Sequence, residues 1–133
     1  MALRSPLLAL ALAACGGMKD PGSVADKFVD KYYVESDQQA ALPLADGVAR
    51  LRLEAELRLV GGARRGVAPG ALAAKVYYKR KALQGDGTRR QADYALQIKP
   101  QGGADILRDA HLELAQQPDG TWRVSRFSET TPQ

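Results

Sequence analysis

Residues 90–99 read Arg-Gln-Ala-Asp-Tyr-Ala-Leu-Gln-Ile-Lys, and this stretch decides the fold. Apolar side chains fall on every second residue, at Ala92, Tyr94, Leu96 and Ile98, while polar or charged residues fill most positions between them. Successive side chains of a β-strand point to opposite faces of a sheet, so this spacing predicts a strand with one buried face. Such a half-buried strand is typical of an antiparallel sheet.

Three neighbouring stretches repeat this alternation. Residues 75–83 are rich in Val and Tyr, and residues 105–116 and 121–128 again place apolar side chains at every second position. Turn-forming Gly, Pro and Asp residues separate the stretches, at 84–87, 100–103 and 118–120. We therefore predict a four-stranded antiparallel meander.

Upstream of the strands, the apolar period changes to that of a helix. Ser23 is a candidate N-cap, and apolar side chains then follow one helical stripe at Val24, Phe28 and Tyr32. A second short helix is predicted at residues 38–44. Helices followed by a run of strands indicate an α+β domain in which the helices cover one face of the sheet.

Residues 48–60 fit two structures. From position 51 to 59 apolar residues alternate with Arg and Glu, which is the period of a strand. The residue types are nevertheless strong helix formers, and Gly61-Gly62 supplies a C-terminal stop. Four apolar side chains also share one helical face, namely Val48, Leu51, Ala55 and Leu59. We predict a helix, with the strand as the alternative.

The first twenty residues resemble the signal of a bacterial lipoprotein. An apolar run at residues 7–14 is too short to span a bilayer as a helix, but it fits the apolar region of a secretory signal. Leu12-Ala13-Ala14-Cys15 is similar to the lipobox, and Cys15 is the only cysteine in the chain. The resemblance implies cleavage before Cys15 and its acylation. We therefore predict a signal peptide at 1–14, a tether at 15–22 and a single domain at 23–133.

The N-terminus and the composition also bear on location and partners. Gly16 stands where enteric bacteria place the Asp that retains a lipoprotein in the inner membrane, so the resemblance implies the outer membrane, facing the periplasm. The predicted partners are the membrane, through the lipid anchor, and an envelope protein or a small apolar ligand. Removing Arg4 leaves 18 basic and 15 acidic residues, and this net charge of +3 is too small to predict nucleic-acid binding.

The element order and the closing stretch resemble a known superfamily. With Asp119-Gly-Thr-Trp122-Arg-Val124-Ser-Arg-Phe127 as its last strand, the chain is similar over residues 23–129 to the nuclear transport factor 2-like (cystatin-like) superfamily, which includes ketosteroid isomerase. The resemblance implies N-terminal helices packed on a curved four-stranded antiparallel sheet, with a cone-shaped pocket between them. Members use this pocket for catalysis or for binding, so the fold does not choose between these functions.

The residues themselves point to binding more than to catalysis. Five inward aromatic side chains could line an apolar pocket or simply pack the core: Phe28, Tyr32, Tyr78, Tyr94 and Trp122. His111, the only histidine, shares the outward strand phase of Asp93, Asp109 and Glu113, and it is predicted to be a surface residue that is neither half of a dyad nor a metal ligand. We predict a non-catalytic binding or interaction module without cofactor or metal. The alternative is a small pocket enzyme of the isomerase or dehydratase kind.

A basic cluster surrounds the first predicted hairpin turn. Lys79-Arg80-Lys81 and Arg89-Arg90 flank the turn, and Arg64-Arg65 lies in the loop before it. The cluster could contact anionic headgroups or an acidic partner. Lys and Arg on a strand edge also prevent pairing with strands of other molecules, and this second interpretation is the one we favour.

Overall fold

The computed structural model describes residues 17–63 and 74–133. The predicted signal peptide, Cys15 and Arg64-Arg65 lie outside the described residues. A 3-10 turn at Gly17–Lys19 precedes α1 (Pro21–Val29), and α1 continues as a π-helical turn at Asp30–Val34. Helix α2 (Gln38–Ala41) continues as a 3-10 turn at Leu42–Leu44. Helix α3 spans Gly47–Ala63. The strands are β1 (Lys75–Gln84), β2 (Arg89–Lys99), β3 (Ile106–Gln116) and β4 (Trp122–Thr130). The predicted α+β class is confirmed.

The strands form one antiparallel sheet in the order β1-β2-β3-β4, which is the predicted meander. Tyr94 lies in its centre, opposite Arg80 of β1 and Ala110 of β3. Eight of the predicted inward side chains of β2, β3 and β4 are at most 3% exposed: Ala92, Tyr94, Leu96, Ala110, Leu112, Leu114, Trp122 and Val124. The other two, where β2 ends and β3 begins, are not fully buried: Ile98 is half-buried and Ile106 is 39% exposed. The alternation of apolar residues therefore predicted the buried face correctly.

Helix α1 begins earlier than predicted, because its N-cap is Asp20. The Asp20 carboxylate accepts a hydrogen bond from the backbone N–H of Ser23 and another from its hydroxyl, each at 2.8 Å. Pro21 then occupies the first helical turn, where a missing N–H is tolerated. The prediction of Ser23 as the N-cap was wrong, because here its side chain donates to the cap instead of forming it. Pro21 and Gly22, assigned to the tether, belong to the helix.

Replacing Asp20 with alanine is expected to lower the free energy of unfolding by roughly 0.5–2 kcal/mol at neutral pH, since the helix loses its capping acceptor. The hydrogen bonds from Ser23 lower the pKa of Asp20. When the pKa of a carboxylate is lower in the folded than in the unfolded state, its ionisation stabilises the fold at pH values above the unfolded-state pKa. This contribution is lost as the pH falls through the folded-state pKa. Urea unfolding should therefore show a difference in the free energy of unfolding between wild type and Asp20→Ala, and this difference should become smaller below about pH 4. Asp20→Asn is the control, because asparagine keeps an oxygen that accepts the hydrogen bond. If the difference in the free energy of unfolding between wild type and Asp20→Ala did not depend on pH, the ionised Asp20 carboxylate would not be the stabilising cap.

Helix α3 confirms the helical prediction for residues 48–60 and excludes the strand. Its start is fixed against the sheet, because the backbone N–H of Asp46 donates to the carbonyl of Val124 at 2.8 Å. Ala49 and Leu53 are buried against the core. The helical face defined in the sequence by Val48, Leu51, Ala55 and Leu59 points to solvent instead, with Leu51 66% and Leu59 79% exposed.

The core lies between the helices and the inner face of the sheet. The Phe28 ring is stacked on Tyr32, with 5.7 Å between centroids, and meets Phe127 edge-on at 4.9 Å. The contact with Phe127 joins α1 to the last strand. Of the helices among residues 17–63 and 74–133, none is long and apolar enough to cross a membrane.

The basic cluster lies on edge strand β1 and its neighbour β2, where several of its charges have partners. Arg80 lies 3.5 Å from Asp26 of α1, and Lys81 lies 3.4 Å from Asp109 of β3. The Arg90 guanidinium lies 5.2 Å from the centroid of the Trp122 ring. The ion pairs with Asp26 and Asp109 thus offset part of the positive charge of β1.

Candidate functional site

A cavity of 310 Å³ opens between the helices and one end of the sheet. β2 and β3 form one wall with Leu96, Ile98 and Arg108, and Leu96 is the register partner of Arg108. Tyr32 and Tyr33 form the facing wall. The remaining lining residues are Ser36, Gln38, Arg52 and Glu129. The cavity thus combines an apolar sheet wall with a polar helix wall.

Two consecutive tyrosines of the π-helical turn at Asp30–Val34, Tyr32 and Tyr33, both line the cavity. Their rings meet edge-on, with centroids 4.8 Å apart, and Tyr32 also lies 4.8 Å from the ring of Phe127. π-helical turns of this kind are frequent at functional sites.

Arg52 of α3 is the centre of a hydrogen-bond network in the cavity wall. Its guanidinium lies 4.0 Å from the ring centroid of Phe127 and donates from Nη1 to the carbonyl of that residue at 3.0 Å. Nε donates to Glu56 at 3.0 Å, and Nη2 donates to Oε1 of Glu129 at 3.1 Å. Burial lowers the pKa of Arg52, but the two glutamates outweigh it and raise the pKa above its ordinary value. The guanidinium therefore stays charged.

The two tyrosine hydroxyls in the cavity also bind carboxylates. Tyr32 donates to Glu56 at 2.8 Å, and Tyr33 donates to Oε2 of Glu129. Burial raises the pKa of each tyrosine, and the hydrogen bond to its glutamate raises it further. Both phenols are therefore neutral at physiological pH, and both oxygens of Glu129 already have donors.

Arg108 differs from Arg52, because it forms no ion pair with any residue that the structure describes. Its Nη1 donates to the backbone carbonyl of Leu107 at 2.9 Å. Among the lining residues, Arg52, Arg108 and Glu129 give a net charge of +1. The Arg108 guanidinium, beside the apolar wall of Leu96, is therefore suited to an anionic group on a small ligand.

No family model matches the sequence, and neither does any curated protein. Solved structures similar to the chain include a SEC-C motif containing protein from Rhodopseudomonas palustris (TM-score 0.60, 13% identity, 88% of this chain and 84% of that chain). They also include Rd1NTF2_05, a variant with five substitutions (TM-score 0.55, 14% identity, 83% of this chain and 99% of that chain). A third is a protein from Shewanella putrefaciens CN-32 described as a SnoaL-like polyketide cyclase (TM-score 0.52, 16% identity, 97% of this chain and 89% of that chain). The chain has a nuclear transport factor 2-like fold. At these identities the likeness shows the fold alone.

The nuclear transport factor 2-like domain separates the five candidate pocket residues. Tyr32 lines the cavity. Phe28 and Trp122 are buried in the core, and Trp122 lies at the opposite end of the sheet. Tyr94 is fully buried, and Tyr78 contacts its ring edge-on at 5.9 Å. None of these four side chains lines the cavity. The prediction that Tyr78 points inward was wrong, because it lies on edge strand β1 and is 37% exposed.

Several lining residues were missed by sequence reasoning, although one of them carried a signal. Arg108 shares the strand phase of Ala110 and Leu112, so it is a charged residue on the apolar face of its strand. Such an exception to the alternation marks a polar group on the inner face. Arg52 and Glu129 carried no comparable signal, because their meeting depends on how α3 docks on β4.

His111 is not isolated on the outer face of the sheet. Its Nδ1 lies 2.8 Å from Oδ1 of Asp93, and its Nε2 lies 2.8 Å from Oγ1 of Thr130. The prediction that His111 is not half of a dyad was wrong, because strand phase gives the face of a side chain but not the register that places Asp93 directly opposite. The described part of the chain contains no group of three His, Cys, Asp or Glu side chains placed to hold a metal ion.

Proposed function

We propose that this chain is a lipid-anchored protein of the bacterial outer membrane, facing the periplasm, whose domain binds a small apolar carboxylate. The lipobox-like stretch Leu12-Ala13-Ala14-Cys15 supports the anchor. The ligand part of the proposal rests on one observation, the Arg108 guanidinium that lies in the cavity without a carboxylate partner among the described residues. The nuclear transport factor 2-like fold supplies the space for the ligand but does not identify it.

The chemistry of the cavity limits the kind of ligand. Binding sites for small molecules typically enclose about 300–1,000 Å³, so a cavity of 310 Å³ suits a ligand of one or two rings. Leu96 and Ile98 offer apolar contact to its body. Arg108 offers charge-assisted hydrogen bonds to a carboxylate, which are stronger than hydrogen bonds between neutral groups.

The place where the described chain begins suits access to this cavity. Lys19, four residues after Cys15, lies beside Gly120 in the β3–β4 turn. Arg108 lies near the other end of β3, and the eight residue-to-residue steps from Arg108 to Gln116 span about 27 Å of strand. The anchor would therefore leave the domain at the end away from the cavity, so that the cavity opens toward the periplasm.

A small pocket enzyme of the isomerase or dehydratase kind is the second candidate function. The observation that favours it is the Glu129 carboxylate beside the Tyr33 hydroxyl, because such enzymes combine a carboxylate base with a phenol donor. These two groups are bound to each other, however, and Arg52 occupies the other oxygen of Glu129. Neither group can exchange a proton with a substrate without breaking this network, so we propose binding ahead of catalysis.

Titration with 2-naphthoate and its uncharged analogue 2-naphthamide tests the proposal. We expect 2-naphthoate to bind more tightly, because only the carboxylate pairs with Arg108. Arg108→Gln should weaken 2-naphthoate binding about tenfold or more, since a hydrogen bond to a charged group contributes about 1.5–3 kcal/mol. Binding of 2-naphthamide should change little. Isothermal titration calorimetry measures both dissociation constants.

Arg126→Gln is the matched control, because Arg126 lies on the outer face of the sheet and its side chain is 62% exposed. This variant should bind 2-naphthoate like the wild type. Equal weakening by both variants would show a general charge effect, and equal affinity for the two probes would remove Arg108 from the proposal. Conversion of an added ketosteroid or hydroxy acid that requires Glu129 would favour the enzyme instead.

A further inference from the structure

A second group of reactive side chains lies on the outer face of the sheet, away from the cavity. Three neighbouring strands contribute one residue each: Asp93 from β2, His111 from β3 and Thr130 from β4. Asp93 is the register partner of His111. Thr130 pairs with Asp109, two residues from His111 on the same strand face. The sheet pairing itself thus brings the three side chains together.

The hydrogen bonds define the role that each group can take. An ionised carboxylate only accepts hydrogen bonds, so Asp93 requires the proton on Nδ1 of His111, 2.8 Å away. Nε2 is then unprotonated, and it accepts the hydroxyl proton of Thr130 at 2.8 Å. A hydroxyl that donates to an imidazole, which in turn is oriented by a carboxylate, has the arrangement of an activated nucleophile.

The surroundings leave this arrangement open to a substrate. The His111 side chain is 41% exposed, and a depression of 190 Å³ beside it is lined by Asp93 and His111 together with Gln91 and Ser128. Thr130 does not line this depression but is itself exposed. The charged groups that face it from neighbouring positions occur in pairs: Lys81 with Asp109 and Arg126 with Glu113. Each cation is thus paired with a carboxylate, and the two pairs add no net charge to this face.

We propose that Asp93, His111 and Thr130 form an acyl-transfer site that hydrolyses small activated esters. Thr130 Oγ1 attacks the carbonyl carbon, and its proton passes to Nε2 of His111. The bond from that carbon to the alcohol oxygen breaks, and His111 returns the proton to the departing oxygen, which leaves an acyl-Thr130. Water then attacks the acyl carbon, and His111 moves its proton to Oγ1, so the products are a carboxylic acid and an alcohol. Asp93 is a positioning residue that fixes the imidazole.

Hydrolysis of 4-nitrophenyl acetate by the full chain tests this site, with nitrophenolate release as the readout. Thr130→Val removes the hydroxyl with little change in shape, and His111→Asn removes the base. Each is expected to lower the rate at least about tenfold, because general base catalysis contributes typically 10²–10⁴-fold. Mass spectrometry of a rapidly quenched reaction should place the acetyl group on Thr130. Asp93→Asn should lower the rate as well, and Asp93→Glu should restore part of it.

Ser125→Ala is the matched control, since Ser125 carries a hydroxyl on the same strand, donates it to the backbone carbonyl of Glu113 and does not line the depression. This variant should hydrolyse the ester at the wild-type rate. A wild-type rate in Thr130→Val, or acetyl groups found on lysines alone, would overturn the proposal. Binding of 2-naphthoate to Thr130→Val should be unchanged, so a failure of this site is distinguishable from a failure of the cavity.

Discussion

The Cys15→Ala chain is expected to carry no lipid and to accumulate with residues 1–14 still attached. Alanine has no sulfur to acylate, and the lipobox resemblance places cleavage after acylation of Cys15. A single acyl chain holds a protein only marginally at a membrane, whereas several chains anchor it durably. Labelling with radioactive palmitate in a bacterial host should therefore fall to background. The intact mass of the purified chain gives the cleavage state directly.

The control for this experiment is Gly16→Ala, which keeps the sulfur and changes the neighbouring position by one methyl group. It should be labelled and cleaved like the wild type. Normal cleavage and membrane retention of Cys15→Ala would show that the N-terminus is not a lipoprotein signal. That outcome would remove the anchor from the proposed function and leave the cavity untouched.

The fold was predictable because its signals are local. The four strands follow from alternation and the turns from Gly, Pro and Asp, and the inward phase of residues 90–99 is the buried face in the structure. Helix α3 shows that residue type can outweigh period: its Leu, Arg and Glu alternate like a strand, yet their helix propensity describes the helix that forms. The predicted stop at Gly61-Gly62 was wrong, because the helix continues through both glycines to Ala63.

The candidate site was much less predictable, because it depends on contacts between elements that are distant in the sequence. Arg52 and Glu129 are 77 positions apart, and they meet only because α3 is fixed on β4 through Asp46 and Val124. The pair of Asp93 and His111 depends likewise on strand register. Periodicity predicted the face on which each residue lies but not the partner that it finds there.

Phe28→Ala is expected to destabilise the domain strongly, by about 3–5 kcal/mol. Phe28 is fully buried and contacts the rings of both Tyr32 and Phe127. Its removal leaves a cavity between α1 and β4, and it loosens the rings against which Arg52 packs. Because small domains are stable by only about 5–15 kcal/mol, urea unfolding should show a large loss.

Two further variants separate packing from general effects of a lost aromatic ring. Tyr77→Ala removes a ring that is 52% exposed and should change the free energy of unfolding by less than about 0.5 kcal/mol. Phe28→Leu retains most of the buried volume and should fall between wild type and Phe28→Ala. If Tyr32 and Arg52 are held in place by Phe28, the Phe28→Leu variant should also bind 2-naphthoate more weakly at temperatures where it remains folded. Unchanged binding would show that the cavity wall is supported by β4 alone.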